Sequence, residues 1–377
     1  MAGRRLHICH VMMTLGGGGM ENGLVNVVNG LDPGRFRSTV VCLHELGPYA
    51  ERVDGPAVTV TNLGHRKGLA PGLVFRLARV LRRLRPDVVH TRNYGANFYG
   101  TLAGRLAGAP VIVNGEHGMV QLVGRRQQQV GRAVALLADR VLCVSPGLKE
   151  FLVERLRYPE RKVTVIVNGV DLARFAASGA DVAARRRELG VPEGAWLVGS
   201  VGRFYPFKDH RSILDLLERV PEVAGRPLHG CVIGAGGLED EFRREVADRG
   251  LADRVHLPGF LQDVHAYYAA FDVFMLLSTD NEGTSNVILE AMAAGRPVLA
   301  TTIPGNGHLI RHGENGILVP PKGPEKLAAL VRETEGLLAD DARRAELARR
   351  GHAFVHERFA LSGMIDRYAD FYAGVAR

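Results

Sequence analysis

What most restricts the fold of this chain is a repeated alternation between short β-branched runs and longer stretches with the apolar spacing of a helix. Leu6–Met12, Ser38–Leu43, Val58–Leu63, Val88–His90, Val111–Asn114, Arg140–Val144 and Val163–Val167 have the length and composition of strands. Helical spacing fills the gaps, as in Gly23–Asn29, with Leu24, Val25, Val27 and Val28, and in Leu73–Arg85, where Leu77, Leu81 and Leu84 alternate with five arginines. A strand joined to the next by a crossover helix pairs with a parallel neighbour, so the pattern predicts an α/β fold built on a doubly wound parallel sheet.

The rhythm stops over the polar stretch Ser178–Gly194. It restarts with Trp196–Val201, Leu228–Ile233, Val255–Leu257, Val273–Leu277, Pro297–Thr301 and Gly316–Val319. A second sheet is expected to begin near Val191, because 377 residues exceed what one core comfortably buries. The expected domains are 1–180 and 188–352. From Pro324 onward the chain reads almost wholly helical, with Leu330, Leu337, Phe354, Ile365, Tyr368 and Phe371 among the apolar positions. Ligands of such sheets sit beyond the carboxyl ends of the strands, which puts the expected chemistry in a cleft between the two domains.

Composition removes several function classes. No apolar run approaches the roughly 18 to 20 residues of a membrane-spanning helix. Arg4 and Arg5 ahead of Leu6–Leu15 imitate a secretion signal, but His7 and His10 interrupt the apolar stretch and no small-residue cleavage site follows. Cys9, Cys42, Cys143 and Cys231 share no C-x-x-C spacing and read as buried free thiols in a reducing cytoplasm. Residues 1–187 carry 27 Lys and Arg against 13 Asp and Glu, whereas 188–377 carry 21 against 27. A basic half suits nucleic acid, an anionic membrane or a phosphorylated substrate. No aromatic-rich basic strand or recognition helix supports nucleic acid. Arg76, Arg79, Arg82, Arg83 and Arg85 either form the solvated face of an ordinary crossover helix or touch the inner face of an anionic membrane.

Three motifs carry chemistry. Gly16, Gly17, Gly18 and Gly19 follow the first strand and precede a helix, where bare backbone N–H groups can approach an anion or simply make a flexible turn. Gly202 and Arg203 close the first strand of the second half and Lys208 follows, as phosphate-binding cations or as solvated loop charges. The third motif runs from Glu282 through Gly283, Thr284, Ser285, Asn286 and Val287 to Glu290. Ser285 is expected to cap a helix reaching about Ala294, with Gly295 as its stop. The helix N-terminus would hold a diphosphate, and the two acids would reach opposite ends of a nucleotide sugar.

The pair Glu282 and Glu290 resembles the E-x7-E signature of retaining glycosyltransferase family 4. The resemblance extends over nearly the whole chain, through Asn168-Gly169-Val170-Asp171, Gly234-Ala235-Gly236 and Gly313-Glu314-Asn315-Gly316. It implies the GT-B fold, two facing Rossmann-like domains around a cleft, with 353–377 returning to the N-terminal, acceptor-side domain. It implies that Arg203 and Lys208 neutralise the donor diphosphate, with Gly17, Gly18, Gly19, Gly234, Gly236, Gly283 and the amides of Thr284 to Val287 completing the donor site. Glu290 would hold the ribose, Glu282 the hydroxyls of the transferred sugar, and His117 would hydrogen-bond the reacting sugar. Asn93 and Glu116 fall on the acceptor side.

Glu21 to Asn26, His90 to Asn93 and Gly115 to Gly118 further resemble sugar transferases of bacterial exopolysaccharide export. Gly305-Asn306-Gly307-His308 departs from the family, where a glycine pair, a small residue and an acid are commoner. No D-x-D motif stands at a strand end, so no metal or other cofactor is expected, and the two cations would serve the departing diphosphate instead. The expected reaction moves a hexose from a UDP-sugar, or a GDP-sugar, to a hydroxyl of a saccharide, lipid-linked or small-molecule acceptor, with retention. A secondary-metabolite acceptor and a nucleotide-sugar epimerase remain alternatives, the latter needing an acid and base pair for which no residues stand out.

Overall fold

The computed structural model describes residues 4–16, 18–65, 68, 70–118, 124–175, 179–261, 263–280 and 284–376. The chain divides into two compact units, one of residues 1–169 with 361–377 and one of residues 170–360. These boundaries differ from the expected 180 and 352. Phe175 is buried against Tyr268 and His265, which ties residues 170–175 to the second unit. The Val170 N–H donates to the Phe359 carbonyl beside a bridge between Val170 and Ala360, so the two crossings of the chain lie side by side. The polar stretch that separates the sheets is a helix over Gly179–Glu188.

The first unit contains β1 (Leu6–Met12), β2 (Phe36–Cys42), β3 (Val58–Asn62), β4 (Val88–Arg92), β5 (Val111–Glu116), β6 (Arg140–Cys143) and β7 (Val163–Val165). All are parallel, in the order β3-β2-β1-β4-β5-β6-β7. β1 is buried on both sides because both sides are covered. Cys9 and Val11 pack towards the helix Pro71–Leu84, whereas Ile8 meets Met364, Tyr368 and Tyr372 of the helix Leu361–Val375. All four cysteines are buried and free, and burial pushes the Cys9 thiol up to about 12.

The second unit contains β8 (Trp196–Val201), β9 (Glu222–Val223), β10 (Arg226–Ile233), β11 (Val255–Gly259), β12 (Val273–Leu276), β13 (Val298–Thr301) and β14 (Ile317–Val319). Its parallel order is β11-β10-β8-β12-β13-β14, with β9 antiparallel to β10. In each sheet the strand order reverses beside the first strand, between β1 and β4 and between β8 and β12. That reversal opens a crevice at the carboxyl ends of the strands, where ligands of such sheets bind.

Candidate active site

In the second unit the site begins where β8 ends. The Gly202 N–H donates to the Ile233 carbonyl, and the Phe204 N–H donates to the Ala235 carbonyl. The loops after β8 and β10 therefore run against each other, and glycine makes this approach feasible. Gly234 has φ +153, and a β-carbon there would lie 2.0 Å from the Gly202 oxygen. At Gly236 it would lie 2.7 Å from the Phe204 nitrogen. This clamp presents Arg203, exposed, with its guanidinium 4.8 Å from the Tyr205 ring centroid.

Lys208 follows on a short turn and lays its stem against Gly202, at 3.6 Å from the position of a β-carbon. The Thr279 N–H donates to the Phe207 carbonyl at 2.8 Å, which fastens this turn to the segment after β12. Lys326, almost buried, reaches both: its Nζ lies 2.5 Å from Oδ2 of Asp209 and 3.2 Å from the Leu277 carbonyl. Cations after β8 and the helix after β12 thus lie at the carboxyl ends of the two central strands of the sheet.

That helix is Asn286–Ala293, and Gly295 follows it at φ +65. Ser285 stands at the N-cap position but makes no side-chain cap. Its hydroxyl instead donates to Asn306 Oδ1 at 2.6 Å, and Asn306 Nδ2 donates to the Thr301 carbonyl. The hydroxyl is held by the buried Asn306 and accepts from none of the terminal amides, and the departure from the family at Gly305–His308 is accordingly a structural tie between β13 and the motif. Glu290 faces Tyr268, whose phenol donates to Oε2 at 2.6 Å. Burial raises the Glu290 pKa, opposed by the Tyr268 hydrogen bond and by the charges of His265 and Arg174. Gly17, Glu282 and Gly283 lie outside the described residues.

In the first unit Gly18 is the extended residue before the helix Gly19–Gly30, next to the carboxylate of Glu21. β4 and β5 end side by side and bring Arg92, Asn93 and His117 together. Asn93 takes the left-handed conformation at φ +66, which asparagine tolerates, and its Oδ1 accepts the His117 N–H at 3.2 Å. Arg92 Nη1 lies 3.2 Å from His117 Nε2. A guanidinium can only donate, so Nε2 is the acceptor and the neutral ring carries its proton on Nδ1. Burial, then the Arg92 charge, holds the His117 pKa well below its usual value. Glu116 points inward, where Asn97 and Tyr158 donate to its Oε1 at 3.0 and 3.3 Å and burial raises its pKa to about 7.

One family model, described as Glycosyltransferase Family 4, matches residues 17–174, and another, described as Glycosyl transferases group 1, matches residues 196–336. A D-inositol 3-phosphate glycosyltransferase of Salinispora tropica is 32% identical over 81% of this chain and 70% of that protein. This chain belongs to glycosyltransferase family 4. The lipopolysaccharide core biosynthesis glycosyltransferase LpsE of Rhizobium meliloti is 33% identical to this glycosyltransferase over 62% of the chain, a match spanning 64% of that relative's length. The fold of the glycosyltransferase is GT-B. The crystal structure of Anabaena Alr3699/HepE in complex with UDP and glucose matches it with a TM-score of 0.86 at 22% identity, over 98% of this chain and 100% of that one.

Two residues of this glycosyltransferase escaped the sequence reading of its site. Tyr268 lies on the single turn His265–Tyr268, which carries no motif, and only the fold brings it to Glu290. Arg92 lies in the His90 to Asn93 segment, and the available signal is an arginine closing a strand beside the reversal of strand order.

Proposed function

We propose that this glycosyltransferase moves a hexose from a UDP-sugar to a hydroxyl acceptor with retention at the transferred carbon and without a metal ion. The observation that carries the reading is the joining of Lys208 to the segment after β12 by the Thr279–Phe207 hydrogen bond. That bond ties the loop bearing Arg203 and Lys208 to the segment leading into the helix from Asn286, and two cations with a helix N-terminus would suit a diphosphate. The HepE complex, which holds UDP and glucose, supports uracil as the base. Glu290, kept in place by Tyr268, would accept from the ribose hydroxyls, and Glu282 from those of the sugar.

In the proposed step the bond from the sugar's anomeric carbon to the diphosphate oxygen breaks as the acceptor oxygen bonds to that carbon from the same face. The acceptor proton passes to the departing diphosphate, whose charge Arg203 and Lys208 offset. His117 would donate its Nδ1 proton to a sugar oxygen. The acceptor class is a saccharide or lipid-linked saccharide of cell-surface polysaccharide or glycolipid assembly. Phe75, Arg76, Arg79, Arg82 and Arg83, exposed along one helix, would meet an anionic bilayer carrying such an acceptor. Flotation with anionic vesicles at low salt tests that contact, and absence of binding removes it.

The test of the central reading is turnover of UDP-glucose and GDP-glucose with and without EDTA, with the product anomer read by NMR. Retention, indifference to EDTA and loss of donor binding in Glu290→Ala are expected. An inverted product, or a metal requirement, would overturn the mechanism.

A further inference from the structure

Among the described residues, eight buried side-chain polar atoms lack a hydrogen-bond partner, and five of them belong to His10, His90 and Arg92. These are both ring nitrogens of His10, Nε2 of His90, and Nε and Nη2 of Arg92. Native interiors leave few such atoms, so a concentration of them marks a place made for something else. The three residues share one side of the sheet. His10 pairs with His90 across β1 and β4, their rings 5.8 Å apart, and Arg92 lies two residues further along β4. The helix Leu361–Val375 covers them: Tyr372 Oη is 2.7 Å from His90 Nδ1, and the Arg92 guanidinium carbon is 5.9 Å from the Tyr368 ring centroid.

The charge of this cluster is one-sided. Arg92 is 1% exposed, and no carboxylate among the described residues pairs with it. Asp87, the nearest acid in sequence, is engaged by Arg4 and the His7 N–H, and Glu116, at the end of β5, by Asn97 and Tyr158. A buried cation without a counter-ion is strongly unfavourable unless an anion completes it. Half-buried His117, in contact with Arg92, reaches from the cluster towards the surface. At Gly115 a β-carbon would fall 3.1 Å from His90 Nε2 and 3.2 Å from His117 Nε2, so any side chain there would crowd the two nitrogens. The cluster also lies at the carboxyl end of β4, beside the reversal of strand order.

We propose that this cluster is an oxyanion subsite, in which Arg92, with His10 and His90 as N–H donors, binds a phosphate or carboxylate group carried by the sugar acceptor. The assignment rests on the reading of this chain as a transferase with a hydroxyl acceptor. The donor diphosphate has its own cations, Arg203 and Lys208, in the other unit.

The probe is inorganic phosphate, added in the presence of saturating UDP and followed by thermal unfolding against sodium chloride of equal ionic strength. Phosphate is expected to raise the wild-type midpoint by about 2 °C or more, and chloride to do nothing. Arg92→Met is expected to lose this response while melting, without ligand, no lower than wild type, because it removes an unpaired buried charge. Phosphate that protects neither protein, or protects both equally, overturns the proposal. Should Arg92→Met fail to fold, Arg92→Lys keeps the charge but not the planar fork, and calorimetry is expected to show phosphate bound at least about 10-fold more weakly. Unchanged phosphate affinity in that variant also overturns it.

Binding of UDP separates the two sources of the anion. UDP affinity equal in wild type and both Arg92 variants, with phosphate protection intact in Arg203→Ala, supports an acceptor group. Arg92-dependent UDP binding, or phosphate protection lost in Arg203→Ala, gives the anion to the donor and overturns the acceptor assignment. Failure of UDP to bind wild type at all would count against the donor reading and leave the phosphate result standing.

Discussion

The phenol of Tyr268 donates a 2.6 Å hydrogen bond to Oε2 of Glu290, and burial disfavours the ionised form of each partner. Tyr268 therefore remains a donor, and its hydrogen bond opposes the burial that would otherwise keep Glu290 protonated. The proposed ribose site depends on this balance, since the carboxylate accepts through both oxygens and more strongly than the neutral acid.

Removing that donor with Tyr268→Phe is expected to weaken UDP about 10-fold, in line with the roughly 1.5 kcal/mol of a hydrogen bond to a charged group. The pH dependence follows in sign. Affinity falls as pH falls through the raised Glu290 pKa, and without Tyr268 that fall begins at higher pH. Calorimetric titration of UDP across pH checks both statements, and a wild-type profile in the variant would contradict them.

Glu116 gives a stability prediction of the opposite pH sense from an ordinary paired carboxylate. Its pKa is raised from 4.5 to about 7 by burial, so the folded chain holds this proton more tightly than the unfolded one. Its contribution is intact below pH 4.5 and is lost as pH rises through about 7, by up to about 3 kcal/mol. Glu116→Gln, which keeps an acceptor for Asn97 and Tyr158, is expected to be neutral near pH 4.5 and stabilising by roughly 2 kcal/mol at pH 8 in urea unfolding.

At Gly234 a methyl group meets the Gly202 oxygen, which is backbone and can yield only by opening the clamp between the two loops. Gly234→Ala is expected to destabilise by about 2 to 3 kcal/mol and to displace Arg203, weakening UDP. Gly237, with open space around it, is the neutral comparison. Equal urea midpoints for the two alanine variants would show that the clamp carries no strain.

Lys326 and Asp209 form the ion pair that anchors the turn of Lys208, with side-chain exposures of 10% and 24%. Lys326→Met leaves a largely buried carboxylate unpaired and is expected to cost about 3 kcal/mol. The double variant with Asp209→Asn is expected to recover much of that loss. A double-mutant cycle by urea unfolding decides it, and strict additivity would deny the coupling.

What could be read from the sequence was whatever the local chain dictates. β1 and β8 were placed to the residue, because strands covered on both faces read as short runs rich in β-branched and apolar residues. The helix from Asn286 was legible from its motif and from Gly295. Its cap was misread because the Ser285 hydroxyl answers to Asn306, a partner 21 residues away that no local rule supplies. The two residues of β9 carry too little pattern to notice, and they pair only because β10 lies beside them. Tyr268 and Arg92 went unseen for the same reason, since their meaning lies in contacts made across the fold.

The helix Leu361–Val375 belongs to the first unit, where Met364, Tyr368 and Tyr372 complete the core around Ile8, Phe36 and Val88. On the ribosome, that core must wait for residues 361–375 to emerge, long after its seven strands have been made. The second unit is continuous in sequence and can close first. A stop codon at residue 361 would therefore damage the first-made half of the protein and spare the later one, and no single cut in the chain separates two intact halves.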